Sequence, residues 1–281
     1  MDVARTAVSI MGLEDKETTD SSQEANMRKA IRILSKTPTA LAAFYRSRKG
    51  KNIIKPKKNL NMAENFFYMC FGKVPQKEIV KAFDVSLILY AEHSFNVSTF
   101  TARTITSSLS DIHGAITGAI ASLKGPLHGG ANEEVMHMMN KIKKPENALK
   151  WINKALDNKD VVMGFGHRVY KSGDSRVPTM RKYFSKVAKI KKDKKFEKIY
   201  DIVEKVMIER KNIHPNVDYP TGPTYHLMGF DTDFFTPIFV ISRITGWSAH
   251  IMEQHAANKL IRPLASYKGN QHRKVVQLNQ R

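Results

Sequence analysis

A single cysteine, Cys70, stands among 281 residues, so neither an intramolecular disulfide nor a cysteine-based zinc cluster can form. That usage fits the reducing cytoplasm. No uninterrupted apolar run approaches the ~18 residues of a membrane span, and the start, MDVARTAVSIMG, has no basic-then-apolar leader pattern. The GxxxxGK[ST] phosphate loop is missing, which argues against nucleotide hydrolysis. So is any HExxH, or i, i+4 histidine pair with an acidic third ligand, and no metal site is expected. Acidic residues are scarce as well: 26 Asp and Glu stand against 46 Lys and Arg, a formal net charge of +20.

The surplus charge gathers in two blocks, Arg46 to Lys58 (RSRKGKNIIKPKK) and Arg181 to Lys198 (RKYFSKVAKIKKDKKFEK). Such a field attracts polyanions. However, the second block keeps Phe184, Val187, Ile190 and Phe196 at helical spacing behind its lysines, the pattern of a solvated helix face. Neither block has the aromatic-rich strands or zinc-finger spacing of a nucleic-acid module, and neither a nucleic acid nor a membrane is expected as partner.

What is present is helical periodicity. With 42% hydrophobic residues the chain can build a core, and its apolar positions recur at three and four rather than two. Helices are predicted over Ser22 to Leu34, Ala63 to Met69, Gln76 to Ala91, Thr99 to Leu109, Ile112 to Leu123, Ala131 to Lys141, Pro145 to Leu156, Val177 to Ala188, Lys195 to Lys211 and Pro237 to Gln254. The fold class is all-α. Three Gly-rich stretches containing His or Asp are read as loops: Lys124 to Gly130, Val161 to Arg176, and His214 to Gly229.

Of ten histidines, His93, His128, His167 and, more weakly, His214 sit in composition that a structural histidine does not need. His128, in GPLHGGANEE, follows Pro126 and precedes two glycines, a tight turn that delivers the imidazole to the mouth of the next helix. A helix N-terminus disfavours imidazolium, so such a ring suits donation to a developing oxyanion; the alternative is a turn histidine bonded to backbone. His167, in VVMGFGHRVYKSGDSR, lies in a second Gly-rich turn beside Arg168 and Arg176, an arrangement for a carboxylate or phosphate. Asp218, in HPNVDYPTGPTYH, has apolar and aromatic neighbours that suit a base, although a loop Asp also serves as a cap. Arg243 falls within FFTPIFVISRITGW, where burying its charge is costly without an anion opposite it. Arg262, in KLIRPLASYKG, is either a second clamp or a surface cation.

Taken in order, EHSFNVSTFTAR, KGPLHGGANEEV, VVMGFGHRVYKSGDSR, PNVDYPTGPTYHLMGFDTDFFTPIFVISRITGWSAHIMEQ and NKLIRPLASYKG resemble the citrate synthase family across nearly the whole chain. The wording YAEHSFN and PTGPTYHLMGFD is closer to the 2-methylcitrate synthases of that family. The resemblance implies a helical homodimer whose large domain (1–129 and 230–281) and small domain (130–229) close over the substrates. It implies condensation of propionyl-CoA, and also acetyl-CoA, with oxaloacetate and water. Citrate synthesis from acetyl-CoA alone, or a weakly active partner subunit of a longer homologue, are the alternatives.

By the same resemblance Asp218 takes the α-proton of the acyl thioester, His128 stabilises the enol(ate), and His167 polarises the keto group of oxaloacetate. His93, Arg176 and Arg243 bind oxaloacetate, Arg262 reaches the neighbouring subunit's site, and Val161, Val162, Met163, Gly164 and Phe165 lie against CoA. No metal or other cofactor is implied. Members of the family begin upstream of the point matched by MDVARTAVSIMG, so an N-terminally shortened large domain is expected.

Overall fold

The computed structural model describes residues 1–125, 128–167, 169–170, 172–270 and 273–281. Pro126 and Arg168, which the motifs above include, lie outside the described residues. Twelve α-helices form among the described residues: α1 Asp2–Glu14, α2 Gln23–Ser47, α3 Met62–Phe71, α4 Lys77–Tyr90, α5 Val97–Thr106, α6 Ile112–Leu123, α7 Ala131–Ile142, α8 Pro145–Asp157, α9 Val177–Ile190, α10 Lys195–Lys211, α11 Asp218–Met228 and α12 Phe235–Ala256. No strand forms among them, only an isolated antiparallel bridge between Phe165 and Pro215. No helix among the described residues is long and apolar enough to cross a membrane.

Local chemistry places the ends. Asn61 and Glu64 close a reciprocal capping box on α3, while Ser22, Asn96 and Asp111 cap α2, α5 and α6 through their side chains. Gly229 ends α11 in the left-handed region (φ 99°), which a glycine enters without the Cβ penalty.

Helix α12 is the axis of the molecule, with sixteen of its 22 residues buried. Around it pack α2, α4, α5 and α6, and α1 lies against α2 and α6. A second group, α7 to α11, packs mainly on itself, and α4 meets it through α9. At Gly246, α12 crosses the turn after α4 so closely that a Cβ would lie 2.4 Å from the Ala91 carbonyl oxygen. The Gly246 amide instead donates to that oxygen at 3.0 Å.

The predicted segments coincide with α3 to α10 and α12 to within a few residues at each end; three features depart from the sequence reading. Helix α1 is not among the predicted segments, although Ala4, Ala7, Val8 and Met11 keep a helical spacing; only Ala4 and Val8 of its thirteen residues are buried. Helix α2 does not stop at Leu34 but continues through Pro38 to Ser47, with the Thr37 hydroxyl donating to the Ile33 carbonyl at 2.7 Å. The stretch His214 to Gly229 is not a loop throughout, since α11 occupies Asp218–Met228 despite Pro220, Gly222 and Pro223. Pro220 sits in its first turn, where no intrahelical N–H bond is lost. Eight of its eleven residues are buried, so packing overrides propensity. Gly222 is required by that packing, because a Cβ there would lie 2.7 Å from the Asn132 carbonyl oxygen of α7.

Candidate active site

Four segments converge on one polar cluster. The turn between α4 and α5 carries His93, residues 161–176 carry His167 and Arg176, α11 begins with Asp218, and α12 supplies Arg243. His93 and His167 stack with ring centroids 4.7 Å apart and their Nε2 atoms 2.9 Å apart. The amides of Val169 and Tyr170 both donate to His167 Nδ1, at 3.0 and 3.3 Å. An amide can only donate, so the neutral His167 proton sits on Nε2, from which it is given to His93 Nε2. His93 then keeps its own proton on Nδ1. Burial first, then the charge of Arg176, with His167 and Arg243 contributing further, pushes His93 down to about 4. Burial and then Arg176 also lower His167. Both rings are neutral donors near pH 7.

His128 is built differently. The Ser98 amide donates to its Nε2 at 3.2 Å, and the Ser98 hydroxyl lies 2.8 Å from the same atom. This again fixes the neutral tautomer, here with the proton on Nδ1. Ser98 is itself held by the Trp247 indole N–H (3.1 Å) and lies 2.8 Å from Asn96 Oδ1. Burial first, and Arg243 second, push His128 down to about 4. The neutrality expected from the helix mouth is therefore supported, but burial is its principal cause.

Asp218, the first residue of α11, is part exposed, yet its carboxyl lies deep enough that burial raises its pKa. Opposing that rise are the Tyr90 hydroxyl, which donates to Oδ1 at 2.5 Å, and the charges of Arg176 and Arg243. Arg176, at the N-cap of α9, is gripped by Asp174 through Nε (2.9 Å) and Nη2 (2.7 Å). The Asp174 side chain is fully buried and also accepts the amides of Arg176 and Val217, each at 3.0 Å. One carboxylate thus sets Arg176 and the start of α11 in a fixed relation.

Arg243 is 2% exposed, and among the described residues no carboxylate stands within ion-pair distance of it. It donates through Nε to the Tyr90 carbonyl at 2.7 Å and lies over the Phe239 ring. Burial, with Arg176 next, lowers it to about 10, still charged at neutral pH. A buried cation facing a second cation demands an anionic ligand.

The stretch Val161 to Phe165 is tied to the same cluster. Asn216 N donates to the Gly164 carbonyl and Gly166 N to the His214 carbonyl, both at 2.9 Å. Gly164 adopts φ 83° and faces Val135 and Tyr219 so closely that a Cβ would lie 2.7 Å from the first. Val161 is exposed and Val162 buried.

The structure therefore groups His93, His167, Arg176, Asp218 and Arg243, with His128 joined through Ser98 and Trp247, the latter one turn beyond Arg243 on α12. It does not bring Arg262 to them: that residue is exposed in an extended segment after α12 and has no ion pair among the described residues. His214 lines a hollow of about 190 Å³ with His167 and Tyr170, and its backbone rather than its ring supports the site. Among the described residues, no group of three His, Cys, Asp or Glu is arranged to hold a metal ion. Tyr90, Ser98, Asp174 and Trp247 were missed by the sequence reading. Asp174, two residues before Arg176, and Ser98, inside the N-cap signature FNVSTF, were the discoverable ones.

Residues 1–264 match the model of the citrate synthase C-terminal domain. A citrate synthase of Mycolicibacterium smegmatis is 52% identical over 276 residues, covering 98% of this chain and 74% of that protein. A 2-methylcitrate synthase of Mycobacterium tuberculosis is 53% identical over 273 residues, covering 97% of this chain and 69% of that one. The citrate synthase of Thermoplasma acidophilum, solved in ternary complex with carboxymethyl coenzyme A and oxaloacetate, superposes with a TM-score of 0.89 at 34% identity. That alignment covers 99% of this chain and 75% of the archaeal one. A helical fold of this closeness, together with half-identical sequences along nearly its whole length, places the chain in the citrate synthase family.

Proposed function

We propose that this chain condenses an acyl-CoA with oxaloacetate and water, taking propionyl-CoA to 2-methylcitrate and also acetyl-CoA to citrate, with release of CoA. The observation that carries the reading is Arg243, a buried cation with no carboxylate within ion-pair distance among the described residues, beside Arg176 and two neutral imidazoles: a dicarboxylate keto acid meets all of these needs. Asp218 takes the α-proton of the thioester while His128 Nδ1–H donates to its oxygen. The resulting enol(ate) carbon attacks the keto carbon, whose oxygen takes the His167 Nε2 hydrogen bond in place of His93, and water then hydrolyses the thioester. His93, Arg176 and Arg243 hold the carboxylates, and Val161 to Phe165 lie along CoA. Neither a metal nor a redox cofactor has a step to perform, and neither nucleic acid nor membrane is a partner.

The test is thiol release with oxaloacetate and each acyl-CoA in turn. One methylene is worth about 10- to 200-fold in an apolar pocket, so both thioesters should react, with kcat/KM ratios inside that range. Absence of thiol release with either sinks the reading. A preference for acetyl-CoA would support citrate synthesis, the reading favoured by the similarity to the M. smegmatis enzyme.

The reading extends to assembly. A large domain (1–129 and 230–281) and a small domain (130–229) would close over the substrates, consistent with the two helix groups, in a cytoplasmic homodimer. Exposed Val97 and Phe100 on α5 suit a partner surface, and Arg262 is free to reach the neighbouring site. Mixing inactive Arg262→Ala and His128→Ala chains should then restore activity, up to about half of wild type per hybrid dimer, because one of its two sites carries neither defect. Demonstrated subunit exchange without returning activity would place Arg262 outside the neighbour's site.

A further inference from the structure

Tyr90 ends α4 three residues before His93, and it is 1% exposed. Its two polar groups face two different parts of the site. The backbone carbonyl receives Arg243 Nε at 2.7 Å, while the hydroxyl donates to Asp218 Oδ1 at 2.5 Å. The ring is held by Phe239 of α12, centroids 4.3 Å apart, so its position is set by packing and not by the hydroxyl. We propose that Tyr90 is a positioning residue of the condensation: its hydroxyl occupies one oxygen of Asp218 as a donor that favours the carboxylate form, and leaves the other oxygen to take the substrate proton.

The inference rests on Asp218 as the base. The groups that face this carboxyl can be named from each element around it: Tyr90 from α4, Asp174 and Arg176 from the segment entering α9, Tyr225 from α11 itself, and Arg243 from α12. Burial drives the proton onto Asp218, and Asp174 assists it. The two arginines oppose it, but both are expected to engage oxaloacetate carboxylates, which offset their charge once substrate is bound. Tyr90 is then the remaining group that favours the ionised base. The hydroxyl acts as donor, since burial and the neighbouring Asp218 charge keep the phenol protonated far above its ordinary range.

Loss of one hydrogen bond to an ionised group moves its pKa by about one unit or somewhat more. The direction follows from the sign: removing a partner of the charged form raises the pKa, and a base must be ionised to act. The acid limb of kcat/KM for the acyl-CoA, taken at saturating oxaloacetate, should therefore move up by about one pH unit for Tyr90→Phe, while calorimetric affinity for oxaloacetate stays within about threefold of wild type. Since the phenylalanine ring fills the same space, that affinity also reports whether the variant folds. A second protein carries 3-fluorotyrosine at position 90, a more acidic and stronger donor, and its limb should move the opposite way, to lower pH.

Opposite shifts support the proposal. An unmoved limb in the fluorotyrosine protein overturns it even where Tyr90→Phe fails to fold, and an unmoved limb in a folded Tyr90→Phe enzyme does so directly. If Asp218→Asn is inactive while both limbs stay in place, the role of Tyr90 falls alone. If Asp218→Asn keeps its activity, Asp218 is not the base and both readings fall.

Discussion

Asp218→Asn is expected to lower kcat by about 10²- to 10⁴-fold, the usual contribution of a positioned general base, while oxaloacetate binds as before. The amide has the shape of the carboxylate and keeps an oxygen to accept the Tyr90 hydroxyl, so α11 should begin where it does now. What disappears is the lone pair that takes a proton from carbon. The cluster proposed to hold oxaloacetate should be untouched, because Arg176 is oriented by Asp174 and Arg243 by the Tyr90 carbonyl, neither of which depends on the charge of Asp218. Steady-state kinetics paired with calorimetry separate the two quantities. An Asn enzyme that retains more than about a tenth of the wild-type rate would remove Asp218 from the role of base.

Arg243→Met is expected to act in the opposite sense on stability and binding. Oxaloacetate affinity should fall by about 30- to several thousand-fold, the 2–5 kcal/mol attached to truncating one partner of a buried charge pair. The unliganded protein should not lose melting temperature and is expected to gain some, because an apolar chain of similar volume replaces a buried cation that has no carboxylate within ion-pair distance among the described residues. Methionine gives up the bond to the Tyr90 carbonyl and the contact over Phe239, which offsets part of that gain. A Met variant that melts earlier and binds oxaloacetate normally would show Arg243 to be a structural prop. The expected pair of results would show the arginine held in place at a cost that ligand binding relieves.

How legible these features were depends on the distance along the chain over which each is decided. Helix α6 and helix α10 match their predicted bounds to the residue because their apolar period is local, and the start of α6 is also marked by the Asp111 cap. Arg243 stood out for the same reason, a charge in an otherwise apolar stretch. His128 and His167 were visible through their glycines, but not their tautomers, which Ser98, Val169 and Tyr170 determine. Tyr90 could not be found at all from composition, since its partner Asp218 lies 128 residues away and a tyrosine at the end of an amphipathic helix reads as core. The specific roles of Asp218 and His128 came from the family resemblance, not from spacing.

Helix α11 bears on how the molecule comes to be active. With Pro220, Gly222 and Pro223 in eleven residues it has little tendency to be helical alone, and isolated helices of that length are marginal even in favourable sequences. It takes its form from α7 and α9, whose side chains and backbone receive it. The carboxylate at its head is therefore expected to reach its place only once those hosts have packed. A partly folded chain, rich in secondary structure but lacking that docking step, should then show the circular dichroism of helices without turnover.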